Sequence, residues 1–124
     1  MDGSKKILII EDEHFISELY ARALRKDGYE VTIMLSGDDG LEAAKTDNFD
    51  VILLDLMLPG ITGFEILESL RGPNAPEIKA KIIITTNLDQ DDENRNRVNG
   101  LADGYLIKAE ITPKELVKII ADLC

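Results

Sequence analysis

Val51-Ile-Leu-Leu54 is a run of four branched apolar residues with nothing polar between them. A run so short and so uniformly apolar fits a strand buried on both faces, as in a parallel sheet covered by helices. A buried helix segment could read the same way. Asp50 before the run and Pro59-Gly60 after it favour the strand, because Pro and Gly mark a turn. Asp55 closes the run, between Leu54 and Leu56. A carboxylate there is costly to bury without a partner. Yet in open α/β sheets the crevice past the carboxyl ends of the strands is where ligands bind. Asp55 is therefore either an aspartate starting a turn or part of a site, and the rest of the chain bears on which.

Four other segments read as strands. Lys5–Ile10 is a second short apolar run, ending at Glu11-Asp12-Glu13. Glu30–Leu35 alternates partly and suits a sheet edge. Lys81–Thr86 ends in two hydroxyl residues, and Asp103–Lys108 ends in a lysine. Between them the apolar period is helical. Phe15, Ile16, Leu19, Tyr20, Ala23 and Leu24 predict a helix over about 13–27, stopped by Gly28. Ser36-Gly37 opens a helix over about 38–46, with Leu41 and Ala44 inward. Phe64, Leu67 and Leu70 mark a third over 63–71, before Gly72-Pro-Asn-Ala-Pro76 forces a loop. Leu88–Gly100 is polar apart from Val98 and is assigned to a helix. Thr112 as cap, Pro113 at the first helical position and Glu115 as the reciprocal cap open the last helix. Its inward residues are Leu116, Val117, Ile120 and Leu123.

Five β-α units in one chain of 124 residues, with no repeat or linker, predict a single domain over 1–124. The fold expected is a doubly wound α/β fold, (βα)5 and flavodoxin-like, with strand order 2-1-3-4-5. In that order the switch point lies between strands one and three. Glu11 and Asp12 then stand beside Asp55. The net charge of −10 argues against nucleic acid and anionic lipid as direct partners. No apolar run approaches the ~20 residues that span a bilayer, and Ile7–Ile10 is too short for a signal-peptide core. Cys124 is the one cysteine and has no internal partner. These features suit the cytoplasm.

Three carboxylates crowded at one sheet edge repel one another and call for a cation. Oxygen donors without His or Cys suit Mg²⁺. The one histidine, His14, is adjacent, but a lone His at a helix start is more often simply solvated. Magnesium held by few carboxylates keeps open positions for water and phosphate oxygens. An aspartate can then act as nucleophile on a phosphoryl group, whose loose transition state is stabilised by positioning and charge. Thr86 and Lys108, at the ends of strands four and five, would complete such a cage. Singly, each reads more simply as a cap and a surface lysine. Five suitable residues, all at strand carboxyl ends, carry more weight together.

The motifs Ile-Ile-Glu11-Asp12, Asp55-Leu-Met-Leu-Pro59-Gly60-Ile-Thr-Gly63, Thr86 and Gly104-Tyr105-Leu-Ile-Lys108 resemble those of a response regulator receiver domain of two-component signalling. The likeness runs from Lys5 to about Leu123. It implies that Asp55 is the phosphoacceptor and that Glu11, Asp12 and Asp55 hold Mg²⁺ with the backbone carbonyl of Met57. It implies Thr86 as the switch hydroxyl, Lys108 as its phosphoryl-pairing lysine and Tyr105 as the switch aromatic. Thr86 is preferred to Thr85 on the family's spacing to Lys108, and strand alternation lets only one of the two point at the site.

The resemblance further implies a phosphohistidine donor, on a sensor histidine kinase or a histidine phosphotransfer protein. The surface of the fourth helix, fifth strand and fifth helix would change its affinity for a downstream partner. Such a domain is a switch rather than an enzyme, assisting only its own phosphorylation and dephosphorylation. It is expected as a monomer or a weak phosphorylation-linked dimer, standing alone or as a piece of a longer protein with an output domain.

Three positions depart from the family pattern. Ala109 replaces the usual proline after the lysine, so a trans bond is expected there, a non-proline cis bond costing about 3 kcal/mol. Asn87 follows the switch threonine where a small residue is common. Leu101-Ala102 replaces Gly-Ala, which bears on the conformation of 88–102. A phosphorylation-independent adaptor of the same shape is the alternative that these departures keep open. A haloacid-dehalogenase-like phosphatase would want a second aspartate where Met57 stands. In a flavodoxin-like cofactor carrier, Glu11-Asp12-Glu13 would repel the phosphate.

Overall fold

The computed structural model describes residues 4–73, 75–87, 96, 98 and 100–123. Five strands, β1 (Lys6–Ile10), β2 (Glu30–Met34), β3 (Val51–Asp55), β4 (Lys81–Thr86) and β5 (Gly104–Ile107), form one parallel sheet in the order β2-β1-β3-β4-β5. This is the expected topology, with β2 at an edge. The helices are α1 (His14–Lys26), α2 (Gly37–Lys45), α3 (Gly63–Arg71) and a last helix, Pro113–Leu123. Of the helix expected over 88–100, residues 88–95, 97 and 99 lie outside the described residues. Asn96 and Val98 are helical, and Val98 is the buried anchor that its sequence suggested. No helix among the described residues is long and apolar enough to cross a membrane.

Strand alternation divides the core in two. Leu8, Ile10, Ile52, Leu54, Ile82 and Ile84 face Ala44, Ile66, Leu67 and Leu70 of α2 and α3. Ile7, Ile9, Val51, Leu53 and Ile83 face Tyr20, Ala21 and Leu24 of α1 and Leu116 and Ile120 of the last helix. Burying each such side chain contributes roughly 1.5–3 kcal/mol, and β3 is buried throughout because it is covered from both sides.

The helix starts follow local chemistry. Ser36 Oγ accepts from Asp39 N–H and Thr62 Oγ1 from Glu65 N–H, both at 3.2 Å. At the last helix the reciprocal cap is complete: Glu115 N–H donates to Thr112 Oγ1 at 3.1 Å, and Thr112 N–H to Glu115 Oε1 at 2.9 Å. In α1 the buried stripe is Ser17, Tyr20, Ala21 and Leu24. Phe15, one of the apolar residues whose spacing predicted the helix, is 74% exposed. It lies two residues before Ser17, which puts it on another side of the helix.

Two glycines set the loop after β3. A Cβ on Gly63 would lie 2.2 Å from the Asp55 carbonyl oxygen, and one on Gly37 would lie 2.4 Å from Ile61 Cγ2. Helix α3 therefore starts directly against the backbone of Asp55, with Gly63 N–H donating to Leu56 O at 3.2 Å.

Candidate functional site

The first turn after each central strand carries the chemistry. Register pairs Ile10 with Leu54 and Asp55 with Thr85, so Glu11, one step past Ile10, comes level with Asp55. Carboxylate oxygens of Glu11, Asp12 and Asp55 all lie within 4.8 Å of one another. Glu11 and Asp55 are each 2% exposed, whereas Asp12 faces solvent.

Lys108 is the countercharge. It leaves β5 at the head of a short 3₁₀ turn, Lys108–Glu110, and is 7% exposed. Its Nζ donates to Glu11 Oε1 and lies 3.2 Å from Asp55 Oδ2. Among the described residues there is no cis peptide bond, so the Lys108–Ala109 bond is trans.

Backbone donors hold the remaining oxygens. Met57 N–H donates to Asp55 Oδ1 at 3.0 Å, and Glu13 N–H to Glu11 Oε2 at 3.1 Å. The first of these is an Asx-type turn. Asp55 thus starts a turn and joins a charged cluster at once, and the two readings of its sequence context are both realised.

Burial pushes the Glu11 carboxyl up to about 7, and the charge of Asp55 adds to the push. The Lys108 hydrogen bond and the Glu13 N–H pull the other way without cancelling it. For Lys108, burial works against the ammonium, but the Glu11 hydrogen bond and the charge of Asp55 outweigh it and raise its pKa. Three carboxylates against one ammonium leave the cluster short of positive charge. A divalent cation fits this deficit, because the donors are all oxygen. The exposed Asp12 side would leave room for water or a phosphate oxygen.

Other candidates fall differently. Thr86 is fully buried at the end of β4, one residue past the partner of Asp55. Alternation with Ile82 and Ile84 puts it on the α2–α3 face, as does the pairing of Ile84 with Tyr105 for Tyr105. On the other face, level with Asp55, stands Thr85. Its position depends on register, which single-strand alternation could not supply. His14 is at the surface, 3.9 Å from Glu18. A surface hollow of about 930 Å³ is lined by Lys45, Glu68, Arg71 and Pro76. These residues belong to the carboxyl ends of α2 and α3 and the loop after α3, and none is part of the acidic cluster.

The family model for the response regulator receiver domain matches residues 7–121. The chain is 40% identical over 121 residues to the response regulator ArlR of Staphylococcus saprophyticus, covering 95% of this chain and 52% of that protein. It is 33% identical to the transcriptional regulatory protein HprR of Escherichia coli, covering 95% and 51%. The chain thus spans about half the length of the curated relatives it matches. A CheY-like receiver domain from Methanospirillum hungatei superposes with a TM-score of 0.85 at 30% identity, covering 98% of this chain and 94% of that one. The response regulator TrrA of Thermotoga maritima, crystallised in complex with Mg²⁺-BeF, gives 0.80 at 31% identity, covering 97% and 99%.

Proposed function

The chain belongs to the response regulator receiver family, whose domains are signalling switches, and from that premise we propose that Asp55 is its phosphoacceptor. One observation carries the assignment: Asp55 is a buried carboxylate at a strand end, with a second carboxylate and an ammonium within reach. A carboxylate oxygen of Asp55 attacks phosphorus. The bond from phosphorus to the donor histidine nitrogen breaks, and the imidazole leaves with the electron pair and takes up a proton. The donor belongs to a sensor histidine kinase or a histidine phosphotransfer protein.

Glu11, Asp12, Asp55 and the Met57 carbonyl would hold Mg²⁺, which supplies neutralisation of charge on the transferring oxygens. TrrA, whose crystals hold Mg²⁺ with a beryllium fluoride, supports this assignment. Lys108 has the reach to pair with a phosphoryl oxygen on Asp55. Met57 N–H orients the carboxylate from behind. Thr86, at the end of β4, turns toward the added oxygens, and Tyr105 on the same sheet face follows it. Later attack by water on phosphorus returns the Asp55 carboxylate and releases inorganic phosphate, so the domain assists its own dephosphorylation.

The chain acts as one receiver unit over 1–124, in the cytoplasm. It signals to a downstream protein or to an output domain of the same polypeptide, as a monomer or a weak phosphorylation-linked dimer. The test is incubation with acetyl phosphate, with and without Mg²⁺, followed by intact-protein mass spectrometry. Wild type gains one phosphoryl group only with Mg²⁺, and Asp55→Asn gains none. A phosphorylated Asp55→Asn protein, or an inert wild type, overturns the assignment and leaves the adaptor reading in its place.

A further inference from the structure

Lys108 follows β5, yet its ammonium reaches Asp55 on β3 and Glu11 just past β1. The sheet order places β4 between β5 and β3. The lysine stem must therefore cross β4 to make these contacts. On the face that carries Asp55, the β4 residue level with it is Thr85. That face is otherwise aliphatic beneath α1 and the last helix, with Ile7, Ile9, Val51, Leu53 and Ile83 leading up to the carboxylates. Thr85 is 3% exposed there. Valine would fill the same space, while a buried hydroxyl costs free energy unless it is paired. Register sets Thr85 level with Asp55, on the face that the Lys108 stem crosses.

We propose that Thr85 is a positioning residue for the phosphoryl chemistry, its hydroxyl steadying the Lys108 ammonium beside Asp55 as the lysine passes from Glu11 to the phosphoryl oxygens. This rests on Asp55 being the phosphoacceptor. The role is distinct from that of Thr86, which stands on the opposite sheet face. It acts through Lys108 rather than by bonding to phosphorus.

The experiment compares Thr85→Val and Thr85→Ser with wild type. It measures the phosphorylation rate at saturating acetyl phosphate and Mg²⁺, together with the melting temperature. Valine keeps the shape and loses the hydroxyl; serine keeps the hydroxyl and loses a methyl group. The expected result is a crossing of the two readouts. Thr85→Val slows about fivefold, equivalent to about 1 kcal/mol, without a lower melting temperature. Thr85→Ser stays within about twofold of the wild-type rate but melts lower. If rate instead follows melting temperature, with serine slow and valine fast, Thr85 is a packing residue and the proposal fails. Equal rates in all three proteins overturn it too. A wild type that takes up no phosphoryl group sinks the Asp55 assignment first, so the two failures are told apart.

Discussion

The two ends of the sheet treat their carboxylates in opposite ways. At the amino ends of the strands three aspartates each meet a backbone donor. Asp50 Oδ2 accepts from Lys6 N–H at 2.8 Å, Asp47 Oδ1 from Lys79 N–H at 3.0 Å and Asp103 Oδ2 from Ile82 N–H at 2.8 Å. Arg71 adds a guanidinium that donates to the Ile78 and Ala80 carbonyls and lies 3.8 Å from Asp103. At the carboxyl ends three carboxylates converge, and one ammonium serves two of them. One end ties loops to strands with matched groups. The other holds a charge imbalance that folding leaves in place and that a ligand can relieve. Stability and chemistry are thus assigned to opposite edges of the same sheet.

The contrast is most exposed at Lys108. Lys108→Met leaves Glu11 and Asp55 buried without their cation and should lower stability by about 3–5 kcal/mol at pH 8, measured by urea denaturation. The sign of the pH effect follows from Glu11. Its folded-state pKa is raised from 4.5 to about 7, so its contribution is favourable at low pH and is lost as pH rises through 7. Without the ammonium the carboxyl titrates higher still. The penalty for Lys108→Met should therefore shrink at pH 5, and an equal loss at both pH values would count against the charge account.

Arg71→Ala comes next, with an expected loss of about 2 kcal/mol, since it removes charge-assisted bonds to two carbonyls from a partly exposed side chain. Its rise in Tm on adding Mg²⁺ should equal that of wild type; a smaller rise would show that the two ends are coupled. Asp12→Asn has the smallest effect on the metal-free protein. Its Tm without Mg²⁺ should match wild type, because Asp12 faces solvent, but the Mg²⁺-induced rise should disappear. A retained rise would place the cation elsewhere.

Much of this architecture was legible in the residues. The apolar runs and their flanking turn residues located β3, β4 and α3 to the residue, at Val51–Asp55, Lys81–Thr86 and Gly63–Arg71. The strand-end rule for doubly wound sheets brought Glu11 and Asp12 to Asp55 across a long stretch of chain. Three things were not legible. The inward stripe of α1 includes Ser17 and leaves Phe15 outside, because hydrophobicity alone does not fix a helix's rotation about its axis. The place of Thr85 beside Asp55 depends on how β4 registers against β3, which is a property of two strands and is written in neither alone. Likewise the bond from Lys108 to Glu11 needs the whole order of the sheet to foresee.

The fit of Gly63 against the back of Asp55 has a directional consequence. With 2.2 Å between a would-be Cβ and the Asp55 carbonyl oxygen, and 2.4 Å between one on Gly37 and Ile61 Cγ2, the α2–α3 flank is an abutment without slack. A phosphoryl group placed on Asp55 would press on a backbone with little room to retreat toward α3. The looser side is β5, whose residues are all half-buried. A partner that reads phosphorylation is expected on the β5 side rather than on α3.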